Sequence, residues 1–360
     1  MTEQSILYKR VKIFDGLRAV AILGVFNIHF FSAYSEHHYT VTSGILQKLF
    51  ATLHAGIYGV PLFFMLSGYL IYGRYLAHSD SVLKKAGALN FLKKRIIRLV
   101  PVYWLCLLVL FLIPKISIHV QSTLEFFANL TIIFLRVSPE IKLYNPVSWS
   151  LAIEFQYAFL VGISMLYRGV WRKRVYFGGL IIYSAANLSF LNAYLPLYSA
   201  DNILCLFFGS VLYELREFNP FSKIPPLLSI AAAFFVCFMY GNYTALIFEK
   251  FGSIGIMSIL DLLIFILLSN LISTENFFRT VLESRPLVSL GKISYSYYLF
   301  HYWTIGYLMN FVLGTGDTPW EMANRYFICM LTSIAVASVS YLLAEYPTIQ
   351  LNSKKFIQPG

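Results

Sequence analysis

Charge is what this 360-residue chain has least of: Asp, Glu, Lys and Arg together supply 12% of it, against 58% hydrophobic residues. A water-soluble domain carries about 25% charge, so that class is excluded. Cysteine is scarce as well. Cys106, Cys205, Cys237 and Cys329 all fall inside apolar segments without metal-ligand spacing, and they read as packing residues that say nothing about redox compartment. The short alternating segments of a transmembrane β-barrel are missing. No small-residue cleavage site follows the basic flank MTEQSILYKRVKIF, so the first apolar stretch reads as an uncleaved helix. Also missing are an internal repeat of the kind that marks many secondary transporters and any low-complexity linker. What recurs instead is the apolar run long enough to cross a bilayer. The fold class is therefore all-α, a polytopic membrane helical bundle, read as one membrane domain over residues 1–360.

A net charge of +11 is compatible with a nucleic-acid partner, but the positions of the charges point to a lipid bilayer. Ten spans are expected, at 14–33, 52–73, 97–114, 147–167, 174–192, 198–214, 226–244, 252–273, 287–310 and 324–345, with both termini cytoplasmic. That arrangement leaves all but six of the 28 lysines and arginines on the cytoplasmic side, the exceptions being Lys48, Lys115, Arg136, Lys142, Lys250 and Arg325. So uneven a split follows the positive-inside rule. Within the outer connection from Lys115 to Pro146, the segment STLEFFANLTIIFL is apolar but short, which predicts an interfacial or re-entrant helix.

The stretch FDGLRAVAILGVFNIHF, residues 14–30, holds the first candidate site. Arg18 and His29 are eleven residues apart, three helical turns plus 20°, so they share a face roughly 16 Å apart along the axis. An imidazole that deep in a bilayer reads as a functional group facing the bundle interior or a wet cavity; the alternative is a core histidine bonded to a neighbouring helix. In FLKKRIIRLVPVYW, Arg95 and Arg98 share a face where the third span begins, and their planar forks suit phosphate oxygens. Lys84, Lys85, Lys93 and Lys94 read as topology signals or lipid headgroup contacts.

In NPVSWSLAIEFQYAF, Ser150 and Glu154 point the same way, and Trp149 suits an interfacial belt. Glu154 sits two turns into its span, at a depth like that of His29, so the two could meet and the carboxylate could fix the imidazole tautomer; the alternative is a structural ion pair. Ser294 and His301 lie near one face of LGKISYSYYLFHYW, amid aromatics. In AEYP, Glu345 is placed to pair with Arg18, Arg95 or Arg98, and Pro347 is expected to stop the helix. Asp201 and Asp261 are given structural roles. Glu36, His37, His38 and His119 are read as solvated, without metal spacing.

Taken in order, these segments resemble the acyltransferase-3 family of integral-membrane O-acyltransferases, over about residues 12–348. The resemblance implies a ten-helix domain of the bacterial inner membrane that moves an acyl group, usually acetyl, from cytoplasmic acyl-CoA to an extracytoplasmic carbohydrate hydroxyl. It implies His29 as the catalytic histidine, Arg95 and Arg98 as holders of the CoA phosphates, and Trp149, Ser150, Glu154 and His301 as matching motif positions. Phe155 departs from the polar residue that usually follows the glutamate. The hydrolase-like domain that some members append is not expected here, and no permanently bound cofactor or metal is expected. On this reading His29 is the base, Glu154 or His301 assists it, and Arg18, Arg95 and Arg98 position acetyl-CoA, while a ping-pong variant acylates His29 itself. The alternative function is a transporter or flippase of a sugar-linked or anionic substrate, since intramembrane Arg, His and Glu also build ion paths. Oligomeric state is not legible.

Overall fold

A computed structural model describes residues 12–36, 44–54, 56–77, 85–113, 123–131, 143–188, 198–221, 223–313 and 318–354. In chain order its helices are α1 (Lys12–Glu36), α2 (Gly44–His54), a 3₁₀ turn (Gly56–Tyr58), α3 (Gly59–Tyr75), α4 (Lys85–Leu112) and α5 (Thr123–Thr131). A second 3₁₀ turn (Pro146–Ser148) leads into α6 (Trp149–Ser164), followed by α7 (Gly169–Leu188), α8 (Tyr198–Leu215) and α9 (Pro226–Ser273). The chain continues with α10 (Phe277–Leu282), α11 (Arg285–Lys292), α12 (Ser294–Phe311), α13 (Pro319–Ser340), a π-helical turn (Tyr341–Glu345) and α14 (Tyr346–Lys354). This is a helical membrane protein. Among the described residues, six helices are long and apolar enough to cross a bilayer: Lys12–Tyr34, Ala51–Tyr75, Gly87–Leu112, Pro146–Ser164, Pro226–Tyr243 and Pro319–Leu351. Ile203–Leu215 and Met257–Ser273 are shorter apolar helices.

The segments 226–244 and 252–273, expected as two spans, form one continuous 48-residue helix. The intervening residues contain no proline, and Gly252 and Gly255 alone do not break a helix when the flanks are strong formers. The segment expected at 287–310 is divided at Ile293, which ends α11 and precedes α12. Pro347 does not stop its helix. Tyr346 N–H bonds the Tyr341 carbonyl across the π turn, and the wider turn accommodates a proline that has no N–H of its own. The short helix foreseen in the loop after α4 is α5, whose nine residues are too few to cross.

The chain divides into two compact units. The first comprises Met1–Arg74, Cys205–Ser294 and Tyr302–Thr332. Its framework is α1, whose backbone closely approaches α11 and the end of α10: a Cβ on Gly291 of α11 would lie 1.8 Å from the Asp15 carbonyl oxygen, and one on Gly16 would lie 2.0 Å from that of Leu282, the last residue of α10. Small residues permit this backbone approach, which in a lipid solvent is a main source of helix association. Gly68 and Gly209 do the same between α3 and α8. Phe26, Phe30 and Tyr326 fill the interior beside α1.

The second unit comprises Tyr75–Leu204, Tyr295–His301 and Ser333–Gly360. Here α4 packs on α6, the π turn and α14. Pro101 lies inside α4, a position that transmembrane helices tolerate because neighbours satisfy the freed carbonyl. Tyr103 donates to the Asn129 carbonyl at 2.8 Å, and Asn129 accepts the Tyr144 N–H at 2.9 Å, which ties α5 and the entry to α6 onto α4. All four cysteines are buried.

Candidate functional site

The residues singled out by sequence fall in both units, Arg18 and His29 in the first and Arg95, Arg98, Glu154 and His301 in the second. In the first unit, Arg18 Nη1 stands 3.6 Å from Asp15 Oδ1, one turn earlier on α1, and Asp15 is buried. The first-turn carboxylate also complements the positive end of the α1 helix dipole.

Two turns before the end of α1, the His29 ring meets Tyr302 edge-on, with centroids 5.1 Å apart and planes at 90°. One turn further, Ser32 Oγ lies 2.9 Å from Nε2 of His54, the last residue of α2. Asn27, also on α1, accepts a 2.7 Å hydrogen bond from the Tyr326 hydroxyl. Sequence reading missed Ser32 and His54. The available signal was the histidine that closes the amphipathic segment GILQKLFATLH, but only the fold brings it to α1.

In the second unit, Arg95 Nη1 on α4 stands 3.6 Å from Glu154 Oε2 on α6, with both side chains largely buried. Arg95 also lies over the Phe91 ring, 6.0 Å from its centroid. This pair sets Glu154 level with Arg95 across the α4–α6 contact. Asn145, just before α6, donates to Cys106 Sγ at 3.5 Å and to the Leu299 carbonyl at 2.9 Å. The entry to α6 is thus sunk six residues, roughly 9 Å, below the end of α4 at Leu112. Glu154 is deeper still, level with the arginine. Arg98 follows one turn after Arg95 and is half-buried.

His301 is completely buried. Its Nδ1 is 2.8 Å from the Tyr298 carbonyl and 3.1 Å from that of Tyr297, which fixes the proton on Nδ1 and leaves Nε2 as the basic nitrogen. The Tyr297 ring stacks on it at 15°. Ser150 donates to the Tyr298 hydroxyl at 2.8 Å, and that hydroxyl donates to the Val147 carbonyl at 2.8 Å. The Trp-Ser segment and the tyrosine-histidine segment, 148 residues apart in sequence, are therefore one hydrogen-bonded cluster. Glu345, buried in the π turn, accepts from Ser296 Oγ at 2.7 Å and Ser296 N–H at 3.3 Å. Its charge meets the N-terminal turn of α12, where backbone N–H groups point outward.

Among the described residues, no three His, Cys, Asp or Glu side chains gather as a metal site would require. His37, His38 and His119 lie outside the described residues, as do the side chains of Glu36 and Asp201. Asp261 is buried within α9.

The family model described as an acyltransferase domain matches residues 11–342. Over 380 aligned residues the chain is 26% identical to O-acetyltransferase OatA of Staphylococcus aureus strain NCTC 8325 / PS 47, covering 95% of this chain and 58% of that protein. A putative O-acetyltransferase of Staphylococcus aureus strain COL is 24% identical, with 92% of this chain and 56% of that protein covered. The chain thus spans somewhat more than half the length of these relatives. No solved structure matches it.

Proposed function

The chain belongs to the acyltransferase-3 family, and from that premise we propose that it is a membrane O-acyltransferase. The acyl group, acetyl by similarity to the O-acetyltransferase relatives, comes from cytoplasmic acyl-CoA and goes to a hydroxyl of an extracytoplasmic or lipid-linked surface polysaccharide. The membrane is the bacterial inner membrane. The observation that carries the reading is that the family match, residues 11–342, takes in Arg18, His29, Arg95, Arg98, Glu154 and His301, ionisable groups that an apolar helical protein would otherwise exclude.

A carbohydrate hydroxyl is a weak nucleophile at neutral pH, so attack on a thioester needs a base. His29 has that role, either taking the proton of the acceptor or carrying the acyl group itself. Arg95 and Arg98 bind the CoA phosphates, and Arg18 supports that end of α1. The Arg95–Glu154 pair supports this assignment: the carboxylate holds the guanidinium oriented until a dianionic phosphate competes for it. His301 has the fixed tautomer of a base or hydrogen-bond acceptor.

The test is the ester-linked acetate on isolated surface polysaccharide from wild type, a deletion strain, and a strain expressing His29→Ala at wild-type level. Loss of acetate in both mutants is expected. Acetate unchanged in the deletion strain overturns the proposal and returns the transporter reading.

A further inference from the structure

Ser32 and His54 constitute a nucleophile and a base already at hydrogen-bond distance, 2.9 Å between Oγ and Nε2. That is the spacing at which an imidazole activates a hydroxyl. Ser32 is three residues after His29 on α1, so the two side chains share a helix face with Cβ atoms about 5–6 Å apart. His54 is exposed.

The position of His54 is locked from both sides. On α2, before it, Asn242 Nδ2 of α9 donates to the Lys48 carbonyl at 3.1 Å and to the Thr52 hydroxyl at 3.2 Å. A Cβ on Gly241 would lie 2.0 Å from the Ala51 carbonyl oxygen, so α2 and α9 touch backbone to backbone. After it, Cβ atoms on Gly56 and Gly59 would lie 2.2 and 2.5 Å from the carbonyl oxygens of Gly24 and Ala21, which clamps the following turn to α1. Rigid support of this kind holds a catalytic pair in register.

We propose that Ser32 and His54 form a serine–histidine dyad that receives the acyl group from His29 and delivers it to the acceptor hydroxyl. This rests on the acyltransferase function proposed above and deepens it. A His29 nitrogen attacks the thioester, the C–S bond breaks, and the imidazole proton leaves on the sulfur as free CoA thiol. Ser32 Oγ then attacks the acyl-imidazole; His54 takes the serine proton and passes it to His29 as the C–N bond breaks. Finally the acceptor hydroxyl attacks the serine ester, and His54 takes its proton and returns it to Ser32 Oγ. The sum is acyl-CoA plus alcohol giving ester plus CoA. An acyl-imidazole hydrolyses readily, whereas a serine ester survives until an acceptor arrives, and the step advances the group three residues, about 4.5 Å, along α1.

The experiment incubates the purified full chain with acetyl-CoA and no acceptor, quenches it in acid, and maps acetyl groups by peptide mass spectrometry, with polysaccharide acetate measured in cells for each variant. An acetyl ester on Ser32 is expected in wild type, absent in Ser32→Ala and strongly reduced in His54→Gln, with acceptor acetylation falling about 100-fold in both variants. Ser32→Cys is expected to restore a label as a hydroxylamine-sensitive thioester, a result that a merely structural hydrogen bond does not produce. Ser32→Ala and His54→Gln acetylating the acceptor at the wild-type rate overturns the dyad and leaves the acyltransferase function standing. A wild-type chain that neither releases CoA nor supports acetylation overturns both.

Discussion

Arg95 and Glu154 stand 3.6 Å apart across the α4–α6 contact, although one begins its helix's apolar stretch and the other lies two turns into a different span. The pairing is a consequence of where α6 starts. Because Asn145 is anchored at Cys106, well below the end of α4, a further nine residues of chain bring the carboxylate level with the arginine. A largely buried pair of this kind couples its members. In a double-mutant cycle of Arg95→Ala and Glu154→Ala, thermal unfolding in detergent is expected to show a coupling of about 1 kcal/mol.

The same pair makes a directional prediction for ligand binding. Coenzyme A is expected to raise the unfolding temperature of wild type by mass action. Arg98→Ala is expected to weaken binding about tenfold or more, the loss of one charge-assisted contact. Glu154→Gln is expected to tighten it, because Arg95 no longer has a competing carboxylate. Isothermal titration with CoA measures both, and weaker binding in Glu154→Gln would count against Arg95 as a phosphate ligand.

His301 is buried on every side, and its Nδ1 proton serves two carbonyls of the preceding turn. His301→Ala leaves a cavity and is expected to cost about 3 kcal/mol. His301→Asn keeps a donor near those carbonyls and is expected to fall between. Comparing the two in melting and in acetate transfer separates packing from chemistry: equal loss of transfer with unequal loss of stability marks a chemical role.

Among the described glycines of the first unit, Gly291 carries the closest backbone approach, with 1.8 Å between a hypothetical Cβ and the Asp15 carbonyl oxygen. Neither atom belongs to a flexible side chain. Gly291→Val is expected to destabilise the fold by about 3 kcal/mol, read as a lower unfolding temperature and lower membrane yield. Gly306→Val, where a Cβ meets nothing within 4 Å, is the control and is expected to be near neutral.

Glu345→Ala is expected to cost about 1–3 kcal/mol, since Ser296 Oγ and N–H lose their acceptor in a buried place. Glu345→Gln keeps an acceptor oxygen and loses only the charge at the α12 N-terminus, so its melting temperature is expected to stay closer to wild type.

The sequence by itself determined that this is a helical membrane protein, where most of its apolar segments lie, and which family it belongs to. Hydropathy does this without knowledge of contacts, because a bilayer admits only long apolar segments whose backbone is bonded internally. Motif order identified the family for a similar reason, since Arg18, His29, Arg95, Arg98, Glu154 and His301 are conspicuous as polar groups in apolar helices. Local rules failed where the outcome depends on a neighbour. Pro347 continues a helix because the π turn before it supplies room, and α9 runs through a segment that composition alone would divide.

Tertiary structure alone decided which side chains meet. The Ser150–Tyr298 bond and the Glu345–Ser296 bond join residues 148 and 49 positions apart, and Ser32 meets His54 only because Gly24, Gly56 and Gly59 let two backbones touch. Depth along a helix is legible from its own residues. The level at which one helix stands against another is set by packing, here by Asn145 on Cys106, and that offset put Glu154 beside Arg95.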